Sequence, residues 1–169
     1  MNDLHSVVRA DLSLKAHQDA VLRMIDAYAS DPFGDGRPLG PSVCENLIAG
    51  LRAHPTTVAF LALADHEPVG IAMCFRGFST FAARPLLYIS DFYVDPSFRR
   101  HGIGRRLLQA VEDEARSTGG CKLTLEVQEN NKHARRIYGA FGFAQAVYVE
   151  SAGGALALSK SIGANETVS

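Results

Sequence analysis

The sequence has no tryptophan, only three cysteines, no long apolar run and no excess of charge of either sign. Each absence excludes something. Lys and Arg number 17 against 18 Asp and Glu, a net charge of −1, so nonspecific attraction to nucleic acid or to anionic lipid is not expected as the main activity. No stretch approaches about 18 consecutive apolar residues, as a membrane span requires. The start, Met1-Asn2-Asp3-Leu4-His5, lacks the basic region and apolar core of a signal peptide, so a soluble, cytoplasmic protein is expected. Cys44, Cys74 and Cys121 are odd in number, widely spaced and without a Cys-x-x-Cys pair. They read as small buried hydrophobes rather than as disulfides or zinc ligands. The six histidines show no metal spacing, and Pro68 directly after His66-Glu67 spoils a helical His-Glu-x-x-His, so no metal is expected.

What remains is a chain of 169 residues, 47% hydrophobic, long enough for one domain with a full core. Without repeats or an internal linker, that domain is expected over 1–162, with a polar tail at 163–169. His5 to Ala10 reads as a strand, and Leu14, Val21, Ile25 and Tyr28 then recur at helical spacing. Three Gly and three Pro between Ser30 and Pro41 mark a long loop or mobile flap. Ser42-x-x-Glu45 has capping-box spacing before a helix from Val43 to about Ala53. Strands follow at Thr57 to Leu63, Val69 to Phe75 and Leu86 to Val94, the last apolar enough to be covered on both faces. Ile103 to Arg116 is an amphipathic helix ended by Gly119-Gly120, and Lys122 to Gln128 alternates strictly as a strand does. A short helix, His133 to Phe141, and strands at Phe143 to Glu150 and Ala155 to Ser159 complete the pattern. About seven strands interspersed with helices imply an α+β or mixed α/β fold, one sheet with helices on both faces.

The most informative segment is Asp91 to Arg106, DFYVDPSFRRHGIGRR. An apolar strand ends at Asp95-Pro96, and Arg99, Arg100 and His101 lead through Gly102 and Gly104 into a helix carrying Arg105 and Arg106. Free N–H groups at a helix start, beside glycines that let an anion approach the backbone, suit a phosphate, and four arginines add forked donors. A dinucleotide fingerprint fails because position 107 is Leu and the segment follows a late strand, and a P-loop fails for want of Gly-Lys-Ser/Thr.

Arg99-x-x-Gly102-x-Gly104 after an apolar strand resembles the (Arg/Gln)-x-x-Gly-x-(Gly/Ala) pyrophosphate loop of the GNAT superfamily, the GCN5-related N-acetyltransferases. Downstream, Asn131-x-x-Ala134-x-x-x-Tyr138-x-x-x-Gly142-Phe143 resembles the family's second motif at its usual distance. The resemblance implies the GNAT fold, a mixed, mostly antiparallel sheet, and acetyl-CoA as acyl donor. It implies that the strand at Phe92, Tyr93 and Val94 pairs with the pantetheine arm and that Arg99, Arg100, His101, Gly102, Ile103, Gly104 and Arg105 surround the pyrophosphate. Asn131 would contact the cofactor; independently, it suits a helix N-cap.

An alkylamine of pKa about 10.4 is over 99.9% protonated at about pH 7 and has no lone pair for a thioester. A base must take its proton, and the departing thiolate needs an acid. Tyr138 holds the family's position for that acid. A backbone N–H near Tyr93 or Val94 would hold the oxyanion. Glu126, twelve residues before Tyr138, resembles the basic glutamate of ribosomal-protein alanine N-acetyltransferases. Asp91 is the second candidate base, because a carboxylate in an apolar strand is costly unless paired or facing a cleft. Around it, Tyr88 to Val94 resembles diamine and polyamine N-acetyltransferases, which carry glutamate where this chain has Ser90.

Cys121 has no His or Asn spaced to activate it, so direct transfer is expected rather than an acyl-cysteine. The expected acceptor is a small-molecule primary amine, beneath the Ser30 to Pro41 loop near Phe78-Ser79-Thr80-Phe81, with Asp31 and Asp35 as cation attractors or turn formers. Alternatives are a protein N-terminus or lysine, and a CoA-binding module without catalysis. Homodimers are common among similar proteins.

Overall fold

A computed structural model describes residues 5–147, 150–158 and 160. Its sheet has five strands in the order β1-β2-β3-β4-β5: β1 His5–Arg9, β2 Thr57–Ala64, β3 Glu67–Ser79, β4 Arg84–Val94 and β5 Leu123–Leu125. The first four form an antiparallel meander, and β5 joins β4 in parallel after a helical crossover. Helices α1 Lys15–Ser30 and α2 Pro41–Ala53 precede β2, α3 Ile103–Ser117 lies between β4 and β5, and α4 Lys132–Phe141 follows.

The helices cover both faces, as expected. Val21 and Met24 of α1 and Leu51 of α2 pack on Ala59, Leu61, Ile71 and Met73. On the other face Ile103, Leu107, Leu108 and Val111 of α3 pack on Phe60, Ala72, Leu87 and Ile89. The central strands contribute side chains to both clusters, which explains their nearly unbroken apolar sequence.

Three expectations are corrected. Helix α2 starts at Pro41, with Gly40 as cap and no side-chain cap bond. The Ser42–Glu45 capping box therefore does not form: proline, with fixed φ and no N–H to satisfy, takes the first helical position instead. Strand β5 spans only Leu123–Leu125 of the expected Lys122 to Gln128, its pairing with β4 ending at Ile89, next to the irregularity in β4. The sheet has five strands rather than about seven. Residues 143–147 and 155–158 are irregular, joined by one backbone bond from Ala155 N–H to Ala146 O (2.8 Å) and separated by a short 3₁₀ turn at Glu150–Ala152. Phe143 packs against the core, but Ala144 to Val147 are exposed, as are Leu156 and Leu158, so these residues present no continuous apolar face to the sheet. Positions 148, 149 and 159, and the tail at 163–169, lie outside the described residues.

Candidate active site

A bulge in β4 shapes the site. The register passes from Met73↔Asp91 to Cys74↔Ile89, leaving Ser90 without a partner on β3. One extra residue reverses the side-chain alternation. Leu87 and Ile89 face α3 before the bulge, and Phe92 and Val94 face it afterwards, while Tyr93 turns towards α1. Pairing with β5 ends at Ile89↔Leu125, so beyond the bulge the strands diverge and leave a cleft.

That cleft has a volume of about 1020 Å³. Its floor is β4 from Tyr88 to Ser90 and from Phe92 to Val94, and the divergent segment Leu125 to Gln128 forms one wall. Tyr28, Asp31 and Phe33, at the end of α1, form the opposite wall. Asn131, Ile137 and Tyr138 close one side, and the turn into α3 closes the end.

Asp95 N–H bonds to Val69 O on β3 (2.9 Å). Since backbone groups alternate along a strand, those of Tyr93 also face β3, and those of Phe92 and Val94 face the open edge. The Tyr93 backbone is therefore occupied within the sheet, and only its ring is offered to the cleft. Of the two residues considered for an oxyanion donor, Val94 has the N–H on the open side.

The turn that follows is built for close backbone approach. Arg100 has φ +67° and Gly102, the cap of α3, φ +77°. A Cβ on Gly102 would meet nothing within 4 Å, so glycine serves the left-handed backbone there, not a tight contact. The first α3 bond runs from Arg106 N–H to Gly102 O (3.1 Å), so the amides of Ile103, Gly104 and Arg105 precede the helical ladder. The Ile103 side chain is buried in the core.

The arginines do not all converge. Arg99, Arg100 and Arg105 all line the cleft, and of these Arg100 and Arg105 have no ion pair among the described residues. Arg106 donates through Nη1 to His5 O (2.9 Å), away from the cleft. His101 is exposed, with Nδ1 3.2 Å from Phe98 O, and its side chain does not line the cleft. The Arg99 guanidinium, expected at the pyrophosphate, donates instead from Nε to Val94 O (2.8 Å) and from Nη2 to Asp31 Oδ2 (2.8 Å).

The candidate acid and bases lie around the same space. Tyr138 is 8% exposed, held edge-on between Phe92 and Phe143. Its hydroxyl makes no hydrogen bond to the described residues. Burial, with a smaller contribution from Tyr28, pushes its pKa well above the usual tyrosine value. Glu126 is exposed on the cleft wall. Burial and then the Glu126 and Asp91 carboxylates raise Tyr88. Asp91 is half-buried and, unlike Ser90 and Phe92, does not line the cleft, and it has no ion-pair partner among the described residues. Burial raises its pKa, and a hydrogen bond from Ser90 partly opposes this.

Asp91 should therefore cost stability while ionised. A carboxyl whose folded pKa is raised contributes most below its unfolded pKa, and the contribution is lost as pH rises through the folded value. Asp91→Asn is expected to raise Tm at neutral pH, with the gain shrinking as pH falls through the raised folded value and gone below the ordinary carboxyl value of 3.8. A Tm gain independent of pH would contradict this account.

Asn131 caps α4, its Oδ1 accepting from Ala134 N–H (3.1 Å), and it also lines the cleft. Asp31 is tied to Arg99 and to Phe33 N–H, so it is a turn former and not a free attractor of cations. Phe78 and Phe81 sit on or beside the exposed β3–β4 hairpin and do not line the cleft, which corrects the expected acceptor position. Sequence reasoning missed Tyr28, Phe33 and Gln128. Tyr28 was legible only as an apolar position on α1. The bond between Gln128 Nε2 and Phe33 O (3.0 Å), which bridges the walls, is a long-range contact without a local signal.

The sequence profile of the Acetyltransferase (GNAT) family matches residues 22–143. An uncharacterized N-acetyltransferase of Bacillus subtilis is 31% identical over 97 residues, covering 57% of this chain and 64% of that protein. A thialysine N-epsilon-acetyltransferase of Bos taurus is 34% identical over 90 residues, 50% of this chain and 52% of that one. A [ribosomal protein bS18]-alanine N-acetyltransferase of Salmonella typhimurium is 43% identical over 53 residues, 31% and 36% of the two chains. These matches span about one third to two thirds of each relative's length. Among solved structures, an aminoglycoside acetyltransferase from an uncultured soil metagenomic sample superposes with TM-score 0.75 at 18% identity, covering 96% of this chain and 99% of that one. A profile match over more than half the sequence, on a five-stranded sheet whose β4 and β5 part at a bulge, places the chain in the acetyltransferase (GNAT) family.

Proposed function

We propose that the chain is an acetyl-CoA-dependent N-acetyltransferase that acts on a primary amine of a small molecule. The observation that carries this reading is the shared cleft: the β4 edge beyond its pairing with β5, a glycine turn at a helix start and Tyr138 all line it. The amides of Gly102 to Arg105, with the Arg100 and Arg105 side chains, suit the diphosphate. The Phe92 backbone on the open edge suits the amide-bearing pantetheine arm, while Val94 O is already engaged by Arg99 Nε, and Asn131 stands beside that path.

Glu126 takes the amine proton, so the neutral nitrogen forms the C–N bond as the C–S bond breaks. Val94 N–H steadies the carbonyl oxygen. Tyr138 donates its hydroxyl proton towards the departing sulfur and is reprotonated by the second proton that the acetylated nitrogen releases, so that a neutral amide and free thiol result. Burial raises the tyrosine pKa, but the same desolvation raises that of a thiol formed beside it, so the donor and acceptor are not driven apart. Asp91 acts behind these groups, as the second candidate for the base.

The Phe33–Gln128 bridge narrows the cleft and favours a small amine. The identity with an alanine N-acetyltransferase of a ribosomal protein, over 53 residues, favours a peptide N-terminus as the second reading. A screen that detects free CoA decides between them, using thialysine, an aminoglycoside and an Ala-initiated peptide as acceptors. Turnover of a small amine at ten times the peptide rate or more is expected. Peptide preference would support the second reading, and no release above acetyl-CoA hydrolysis would leave a CoA-binding module.

A further inference from the structure

The segment after α1 is held like a strap across one wall of the cleft. Gly34 N–H bonds to Asp31 O (2.8 Å), Arg37 N–H to Ala29 O (3.2 Å) and Leu39 N–H to Asp26 Oδ1 (2.8 Å). Gly34 lies so close to α1 that a Cβ there would come within 2.1 Å of Tyr28 O. These contacts fasten the strap to α1 itself. Two links fasten it to the rest of the site: the exposed Gln128 bond to Phe33 O and the Arg99–Asp31 pair.

The second link is the better constrained. The Asp31 side chain is 8% exposed and that of Arg99 33%. Each Asp31 oxygen has its own donor, Phe33 N–H on one and Arg99 on the other. Arg99 is also fixed by Val94 O, and its guanidinium carbon lies 5.7 Å from the centre of the Tyr93 ring. One side chain thus joins β4 to the end of α1, which carries Tyr28 and leads to Phe33. A guanidinium fixed through Nε on a strand carbonyl and through Nη2 on a buried carboxylate, with its face on an aromatic ring, would have to give up both bonds to leave for a diphosphate, although its other N–H groups are uncommitted.

We infer that Arg99 is a positioning residue, a strut that through Asp31 holds the Tyr28–Phe33 wall of the cleft against β4, and that it is not a ligand of the diphosphate. The inference rests on the cleft being the reaction site. It divides the labour of the arginine-rich turn: Arg100 and Arg105 face the donor, and Arg99 shapes the wall across the cleft from Glu126.

The test compares wild type with Arg99→Gln, Arg99→Lys and Asp31→Asn by hydrogen exchange, and measures acetyl-CoA affinity by calorimetry. In Arg99→Gln and Asp31→Asn the amides of Asp31, Gly34 and Arg37 are expected to exchange at least tenfold faster, while β2 amides keep their wild-type rates. Arg99→Lys retains the charge and one donor, and is expected to restore most of that protection. The acetyl-CoA Kd of Arg99→Gln is expected to stay within threefold of wild type. A tenfold weaker Kd in Arg99→Gln would overturn the inference, and so would unchanged exchange at 31–37 in both variants. If wild type itself fails to bind acetyl-CoA, the proposed function fails, and the exchange comparison still decides whether Arg99 is the strut.

Discussion

Tyr138→Phe is expected to lower kcat about 10²-fold or more, the usual contribution of a positioned general acid. The change removes one oxygen from a ring that is 8% exposed and packed edge-on against Phe92 and Phe143. Since the hydroxyl has no hydrogen-bond partner among the described residues, its loss leaves no orphaned donor or acceptor in the protein. Tm should hold or rise slightly, and acetyl-CoA should bind within threefold of wild type. The rate should fall at saturating concentrations of both substrates, because only bond breaking is affected. Stopped assays of free CoA, beside calorimetry for the donor, separate the two effects. A kcat within threefold of wild type would remove Tyr138 from the chemistry and leave it as a core aromatic.

Gly102→Val is the complementary experiment, expected to weaken donor binding where the first spares it. Gly102 has φ +77°, a conformation in which a β-branched residue is a severe outlier. Holding a non-glycine residue in such a region costs about 1–3 kcal/mol. If the turn must keep this shape to present the amides of Ile103 to Arg105, the acetyl-CoA Kd should rise about 10- to 100-fold, a factor of ten for each 1.4 kcal/mol. Because a Cβ at this position would have no neighbour within 4 Å, a packing clash is not the cause. Gly102→Ala should fall between the two. The core cluster formed by Leu107, Leu108 and Val111 is not touched, so unfolding should remain cooperative. Unchanged affinity in Gly102→Val would mean that the donor does not use this turn.

How much of this is legible in the sequence follows from the range of the interactions. The α3 periodicity is local, and Leu107, Leu108, Val111 and Ala115 are buried as their spacing implies. The same holds for Asn131, whose capping bond lies within its own helix. The glycine turn can be read because left-handed backbone and a helix start leave local marks. The β4 bulge cannot: nothing in Ile89-Ser90-Asp91 announces which residue lacks a partner on β3, since register is a property of two strands. That bulge decides which face carries Asp91 and which backbone groups meet the cleft.

The remaining surprises have the same origin. Arg99 matches a motif position, and the motif is silent about Asp31, 68 residues away. Phe78 and Phe81 look like an acceptor wall because they are aromatic and follow a strand. They lie at the far end of the long β3–β4 hairpin, whose pairing extends to Ser79↔Arg84. The alternation of residues 143–147 resembles a strand, but an alternation with little to bury does not specify one.

In the proposed function, one open strand edge and one glycine turn together hold the acetyl donor. Backbone amide NMR of the labelled protein during titration with acetyl-CoA tests it most directly. Saturable shifts are predicted for Phe92, Val94 and Gly102 to Arg105, absent when NADH or acetate is added at the same concentration. Saturation with acetyl-CoA that leaves those amides unmoved would contradict the account.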